Sequence, residues 1–225
     1  MGWKANCILL SENGGPVFAS HPPHQPGKAR EVLAALGLGN ATFKSETDFL
    51  EAVHITNGDI GIGAYDGGLI LCGMDIDLPE NESAQKMVAA LFQLCPQACI
   101  LELGLHSGVN FFHYKLWMDG KVVRHFAGSA EDGLVSDVGE HLPEEEPHFK
   151  KSEIRDGEWV FVIERDGKKH EYDVSAYGEE LLFCVASRFL GERLDSAEIE
   201  NLKIELFTNP RSSPFRKKPW WQFWR

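Results

Sequence analysis

The sequence predicts an α+β fold, an antiparallel sheet built from Asp-Gly hairpins with helices packed on it. Three observations predict this. Four Asp-Gly steps, at Asp66-Gly67, Asp119-Gly120, Asp132-Gly133 and Asp166-Gly167, lie beside or between β-type apolar runs, and glycine takes the positive φ that a tight hairpin requires. Apolar residues at helical spacing fall before and after that β-rich middle. Runs of strands with helices covering one face give a layered α+β arrangement. The 225 residues, 43% apolar and 25% charged, have an ordinary globular composition that can bury a core without staples.

The elements follow in order. Residues 5–10 are apolar and end at Ser11-Glu12-Asn13-Gly14-Gly15-Pro16, a first strand closed by a turn. His21-Pro22-Pro23-His24-Gln25-Pro26 is a stiff extended connector, because proline fixes its own φ and restricts its predecessor. Val32, Leu33 and Leu36 give a helix over 28–36, closed by Gly37 and Gly39. Ser45-Glu46-Thr47-Asp48 is read as the opening of a short helix carrying Phe49, Leu50 and Val53. Strands over 59–64 and 69–75 flank Asp66-Gly67-Gly68. An amphipathic helix over 82–94, capped by Asn81 or Ser83, stops before Pro96. Strands are then expected over 98–105, 109–118, 121–127, 134–138, 159–164 and 169–174. A late helix over 178–190 ends at Gly191, which puts Glu179 and Glu180 in its first turn. Residues 202–207 fit a last strand or a further helix.

Residues 1–210 read as one domain and 211–225 as a tail; the Pro143-Glu144-Glu145-Glu146-Pro147 stretch reads as an exposed acidic loop. Net charge is −12. The tail holds five cations (Arg211, Arg216, Lys217, Lys218, Arg225) and no acid, so the rest carries 17 positives against 34 negatives. A body at −17 repels phosphate, which disfavours nucleic acid as its partner. The absence of a long uninterrupted apolar run argues against a membrane-spanning helix, and the early Glu12 and Gly14-Gly15 argue against a leader peptide. Five cysteines, an odd number mostly inside apolar runs, read as buried free thiols in a reducing, cytoplasmic setting.

The middle of the chain carries a resemblance. His106-Ser107, Trp117-Met118-Asp119-Gly120 with Arg124 soon after, and Val138-Gly139-Glu140-His141-Leu142-Pro143 resemble an uncharacterised bacterial domain family best known from actinobacteria. Its members carry a His-Ser pair, a Trp-x-Asp-Gly hairpin followed by Arg, and an Ile/Val-Gly-Glu-x-Leu-Pro loop. The Met1-Gly2-x-Lys4 start and Gly178-Glu179-Glu180-Leu181 are also similar. The match is dense only over residues 104–143. Members have Asp-Trp where this chain has Asn110-Phe111, and the basic aromatic tail is outside the pattern. No function is established for that family, so the resemblance implies a fold and no chemistry.

The candidate catalytic pair is His106 and Ser107, an imidazole beside a hydroxyl at a strand end, with Asp132 or Asp137 as a third member of a small hydrolase site. Neighbours on a strand point to opposite faces, and Ser107 lacks the Gly-x-Ser-x-Gly spacing of a nucleophile elbow. The plainer reading is a loop-bonding histidine and a turn-capping serine. Gly61-Ile62-Gly63 leads into another strand rather than a helix, so it reads as close packing in a hairpin and not as a nucleotide site. Neither His21/His24 nor His141, Glu144, Glu145, Glu146 and His148 has metal-ligand spacing, and no metal or other cofactor is expected. Cys95 and Cys99 have three residues between them and follow a helix, unlike a redox pair at a helix N-terminus. Glu102 and Lys115 interrupt apolar strands and read as solvent-facing or as a cross-strand pair.

The tail places three of the six tryptophans within its last six residues. Arg216, Lys217, Lys218, Trp220, Trp221, Phe223 and Trp224 combine cations with rings, which suits a headgroup interface, a partner groove or a clamp onto the acidic body. The sequence therefore reads as a non-enzymatic binding or interaction protein, with the tail contacting a protein partner or the surface of the inner membrane. A hydrolase at His106/Ser107 and an acidic immunity or regulatory protein, matching a basic partner by charge, are the alternatives.

Overall fold

The computed structural model describes residues 2–55, 58–73 and 82–209. Among the described residues, twelve strands form two antiparallel sheets. The large one runs β2(Phe43–Asp48), β12(Lys203–Thr208), β3(Asp59–Tyr65), β4(Gly68–Cys72), β1(Lys4–Ser11), β5(Cys99–His106), β6(Phe111–Met118), β7(Lys121–Ser129), β8(Gly133–Gly139). The small one runs β11(Lys168–Asp173), β10(Glu158–Arg165), β9(Ser152–Arg155). The described residues also form five α-helices: α1(Lys28–Ala35), α2(Phe49–Ala52), α3(Glu82–Leu94), α4(Glu146–Phe149) and α5(Val174–Leu190). Among the described residues, no helix is long and apolar enough to cross a membrane.

The central strands of the large sheet are buried on both faces, and alternation along them divides the core. On the first face, Cys7, Leu9, Leu101, Leu103, Phe112, Tyr114 and Phe126 meet α5, whose Leu181, Leu182, Val185 and Phe189 are buried against them. On the second, Ile8, Leu10, Ile62, Leu71 and Ile100 meet Val32 and Leu33 of α1 and Val88 and Leu91 of α3. Helices therefore cover both faces, where one covered face was expected. The reason is that the central strands are apolar at successive positions, as in Cys7 to Leu10, so both faces need a partner.

Positive φ at Asp119-Gly120 and Asp166-Gly167 makes the β6–β7 and β10–β11 turns. Gly67 turns β3 into β4, and Gly133 opens β8 after a short loop. Asp156-Gly157, unread in the sequence, turns β9 into β10 in the same way. Two sequence readings are corrected, and the open choice between strand and helix for residues 202–207 falls to the strand. Residues 43–48 are an edge strand, with Asp48 alone capping α2 by accepting from Glu51 N at 2.9 Å. The last segment is a strand, inserted between β2 and β3. Helix α5 starts at Val174, where Asp173 accepts from Ala176 N at 2.8 Å, so Glu179 and Glu180 lie in its second turn. Gly178 is interior to that helix because a Cβ there would sit 1.9 Å from the Phe112 ring. Glycine is what lets α5 lie against β6.

The acidic loop is only partly solvated: Pro143 and Pro147 are exposed, and its central carboxylate is not. Glu145 is fully buried, as is Arg124 of β7. Arg124 Nε donates to both Glu145 oxygens at 3.0 Å, and its Nη1 donates to Asp137 Oδ1 at 2.6 Å and to Val138 O at 3.2 Å. The Tyr114 hydroxyl and Leu142 N also donate to Glu145. Glu144 pairs with Arg188 of α5 at 2.9 Å. Gly139, at φ +87, has no room for a Cβ, which would fall 1.9 Å from Val123 O. The Arg and Val-Gly-Glu-x-Leu-Pro elements of the sequence are thus parts of one latch that fastens residues 138–145 to the sheet.

Candidate functional site

A cleft of about 450 Å³ opens where β5 passes into β6, between the first half of α5 and the small sheet. Its apolar wall comes from Leu105, Phe111 and Phe112 of the large sheet, Ile163 and Tyr172 of the small sheet, and Tyr177 and Phe183 of α5. Its polar groups are Ser107, Asn110, Ser175, Glu179, Glu180, Arg193 and Asp195. The polar groups come from three pieces of local structure, the β5–β6 turn, α5 and the segment after it. Ser107 follows β5 in a short 3-10 turn closed by Asn110 in the left-handed region, at φ 46. Glu179 and Phe183 are four apart on α5, and Tyr177, Glu180 and Cys184 form an adjacent stripe. Arg193 and Asp195 follow the Gly191 cap of the same helix, where φ is +80.

Most of these groups are held by one another. Ser107 Oγ accepts from Trp3 N at 3.0 Å and donates to Glu179 Oε2 in a short bond. Arg193 Nη1 donates to Glu180 Oε1 at 2.7 Å, and its Nε donates to Asp195 Oδ1 at 2.9 Å. These hydrogen bonds fix the Arg193 guanidinium as a cation. His148 of α4 shares a 2.7 Å hydrogen bond between Nδ1 and the Tyr177 hydroxyl. Burial pushes the Tyr177 phenol up to about 12, with Glu180 adding to the effect. Burial likewise holds the His148 imidazole below its ordinary range and the Cys184 thiol above its own, Arg193 partly offsetting the latter.

His148, Glu180 and Cys184 bring a nitrogen, an oxygen and a sulfur within 4.8 Å of one another. Arg193 already stands there, with Nη1 3.1 Å from Cys184 Sγ as well as bonded to Glu180. Its guanidinium supplies the positive charge a metal ion would bring.

The structure brings Ser107 into this cleft and leaves the other catalytic candidates elsewhere. His106 ends β5 and points away from the face that Leu105 shares with α5. Burial, aided by Lys4, holds its imidazole below the ordinary range. Asp132 accepts from Ser129 Oγ at 2.9 Å, and Asp137 belongs to the Arg124 latch. Gly61 and Gly63 lie in β3, where a Cβ would meet Ile204 at 2.9 and 2.7 Å, so close strand packing accounts for both. His24 approaches Glu205 at 3.7 Å, and His141 stacks on Phe149 with ring centroids 3.7 Å apart. All five cysteines are free. Glu102 and Lys115 are cross-strand partners, and both are buried rather than solvent-facing. The tail candidates Arg216, Lys217, Lys218, Trp220, Trp221, Phe223 and Trp224 lie outside the described residues.

Residues 6–206 match the profile described as "Family of unknown function (DUF6928)". The chain belongs to the DUF6928 family. The match takes in all or most of every strand of the large sheet, both halves of the cleft and the Arg124 latch. The expected membership in an uncharacterised domain family is met. No curated protein and no solved structure matches the chain.

The sequence reading missed Tyr177, His148, Glu180, Cys184, Arg193 and Asp195 as neighbours. The one available signal was the Tyr177, Glu180, Cys184 spacing, one stripe of a helix. Starting the helix at Gly178 hid it.

Proposed function

We propose that this DUF6928 protein is a non-enzymatic binding protein whose cleft beside α5 takes a small organic cation bearing a flat apolar group. The observation that supports this best is the cleft's unbalanced charge. Glu179, Glu180 and Asp195 line it, and Arg193 is the one lysine or arginine among the lining residues, three acids against one base. Arg193 is engaged by Glu180 and Asp195. Glu179 is left with a serine hydroxyl as its hydrogen-bond partner among the described residues. A charge-assisted hydrogen bond from an ammonium to such a carboxylate contributes about 1.5–3 kcal/mol. The rings of Tyr172, Tyr177 and Phe183 favour a cation further through their faces and accept a flat group by stacking.

Hydrolysis at Ser107 has weaker support. The Ser107 hydroxyl is committed to Glu179 and Trp3, and the imidazole of His106 is not among its hydrogen-bond partners. A serine nucleophile needs a base positioned to take its proton.

Benzylamine is a minimal probe with both features, and benzyl alcohol is its uncharged control. Calorimetric titration of the full chain is expected to give saturable binding of the amine and none of the alcohol. Glu179→Gln keeps an oxygen for Ser107 and removes the charge, so it should weaken amine binding by about tenfold or more. Equal binding of amine and alcohol, or an affinity unchanged by Glu179→Gln, would falsify the reading.

A further inference from the structure

The small sheet ends in a strand whose outer edge is open. Strand β11, Lys168-Lys169-His170-Glu171-Tyr172-Asp173, is exposed along its whole length. It pairs with β10 on one side, and among the described residues no strand lies on the other. An open edge offers a row of N–H and C=O groups to another strand.

The β10–β11 turn fixes which of those groups point outward. Asp166 and Gly167, at φ 54 and 70, form a two-residue turn between Arg165 and Lys168. Positive φ at both central residues marks the type I′ hairpin, whose flanking residues exchange backbone hydrogen bonds. Such pairs alternate along an antiparallel ladder, so His170 bonds to Ile163 and Tyr172 to Phe161. Lys169 and Glu171 lie between them and turn their N–H and C=O groups away from β10.

A second β11 meeting this edge must therefore pair residues 169 and 171 among themselves. A two-fold axis at Lys169 sets that lysine against its own copy, and an axis at Glu171 does the same for the glutamate. Like charges directly opposite are destabilising. An axis at His170 instead sets Lys169 against Glu171 of the second copy, in both directions, and Lys168 against Tyr172. Lysine on an open edge usually blocks pairing, but in this register each Lys169 meets an acid. Arg155 of β9 donates to the Glu171 carboxylate at 2.7 and 2.8 Å, which holds it in place. Each carboxylate oxygen keeps a second lone pair for Lys169.

We propose that two copies of this chain associate by antiparallel pairing of their β11 edges about an axis at His170, with Lys169 of each paired to Glu171 of the other. The contact is isologous, the self-complementary kind that closes as a dimer. One short strand from each copy is a small interface, so the dimer is reversible and weakens with salt. The pairing does not rest on cation binding in the cleft.

Sedimentation velocity of the full chain at low salt, at concentrations up to about 1 mM, tests it. The wild type should form a dimer in proportion to its concentration. Lys169→Glu and Glu171→Lys should each lose the dimer alone, since each sets like charges opposite. Mixed in equal amounts, the two variants should associate, because the acids of one then meet the lysines of the other. A wild type that stays monomeric, a dimer indifferent to either substitution, or a mixture no more associated than its parts overturns the proposal.

Discussion

At the scale of single residues, Glu102, His113 and His125 share one face of the central strands, and their effects on stability oppose one another. Burial holds the Glu102 carboxyl up to about 7, with Lys115 and the Trp117 indole, which donates to it at 2.8 Å, working the other way. Burial takes the His125 imidazole down to about 4, helped by Lys115 and Arg124, and takes His113 well below its ordinary range. Glu102 binds its proton more tightly folded than unfolded, so its contribution falls as pH rises from about 4.5 to about 7. The two histidines bind theirs less tightly folded, so their contribution is complete above about 6.5 and is lost as pH falls toward 4. Two histidines outweigh one carboxyl, and stability should rise with pH between about 4.5 and 6.5. His125→Gln should flatten that rise by at most about 1.4 kcal/mol per pH unit, since its ring is only half-buried. Urea unfolding at a series of pH values measures it, and an unchanged slope removes His125 from the account.

At the scale of elements, the latch of Arg124, Glu145 and Tyr114 makes a sharper prediction. Arg124→Leu leaves Glu145 buried without its cation and should cost about 3–5 kcal/mol, because an uncompensated buried charge is what hurts. Adding Glu145→Leu should return much of that loss. Chemical unfolding of the single and double variants checks it; a double variant no more stable than the single one would assign the latch a packing role alone. The elements also differ in how far sequence could reveal them. Strands β1, β5 and β6 were legible because long apolar runs end at turn residues. The edge strand β2 was not, since its side chains are largely exposed and carry no apolar alternation. Strand β9, Ser152-Glu153-Ile154-Arg155, escaped for the same reason. The start of α5 was misplaced because glycine is a poor helix former in isolation, and only the Phe112 ring explains why it is tolerated at 178. Glu145 looked solvated because its partner comes from another strand, 21 residues back.

At the scale of the whole molecule, the nine-stranded sheet has two differently covered faces. The first face carries α5 and, at one end, the cleft assembled from the β5–β6 turn, the small sheet and the residues after α5. No single stretch of sequence holds that site, so of its polar groups Ser107 alone stood out as a candidate, and it did so for chemistry that its neighbours do not provide. The second face carries α1 and α3 over its middle strands and His113, Lys115 and His125 on β6 and β7. The central claim is that the cleft binds a cation through Glu179. The most direct measurement is a chemical-shift map of the full chain titrated with benzylamine. The account predicts saturable shifts concentrated at Ser107, Tyr172 and residues 176–183, absent with benzyl alcohol. Shifts confined to other surfaces, or no shifts at all, would contradict it.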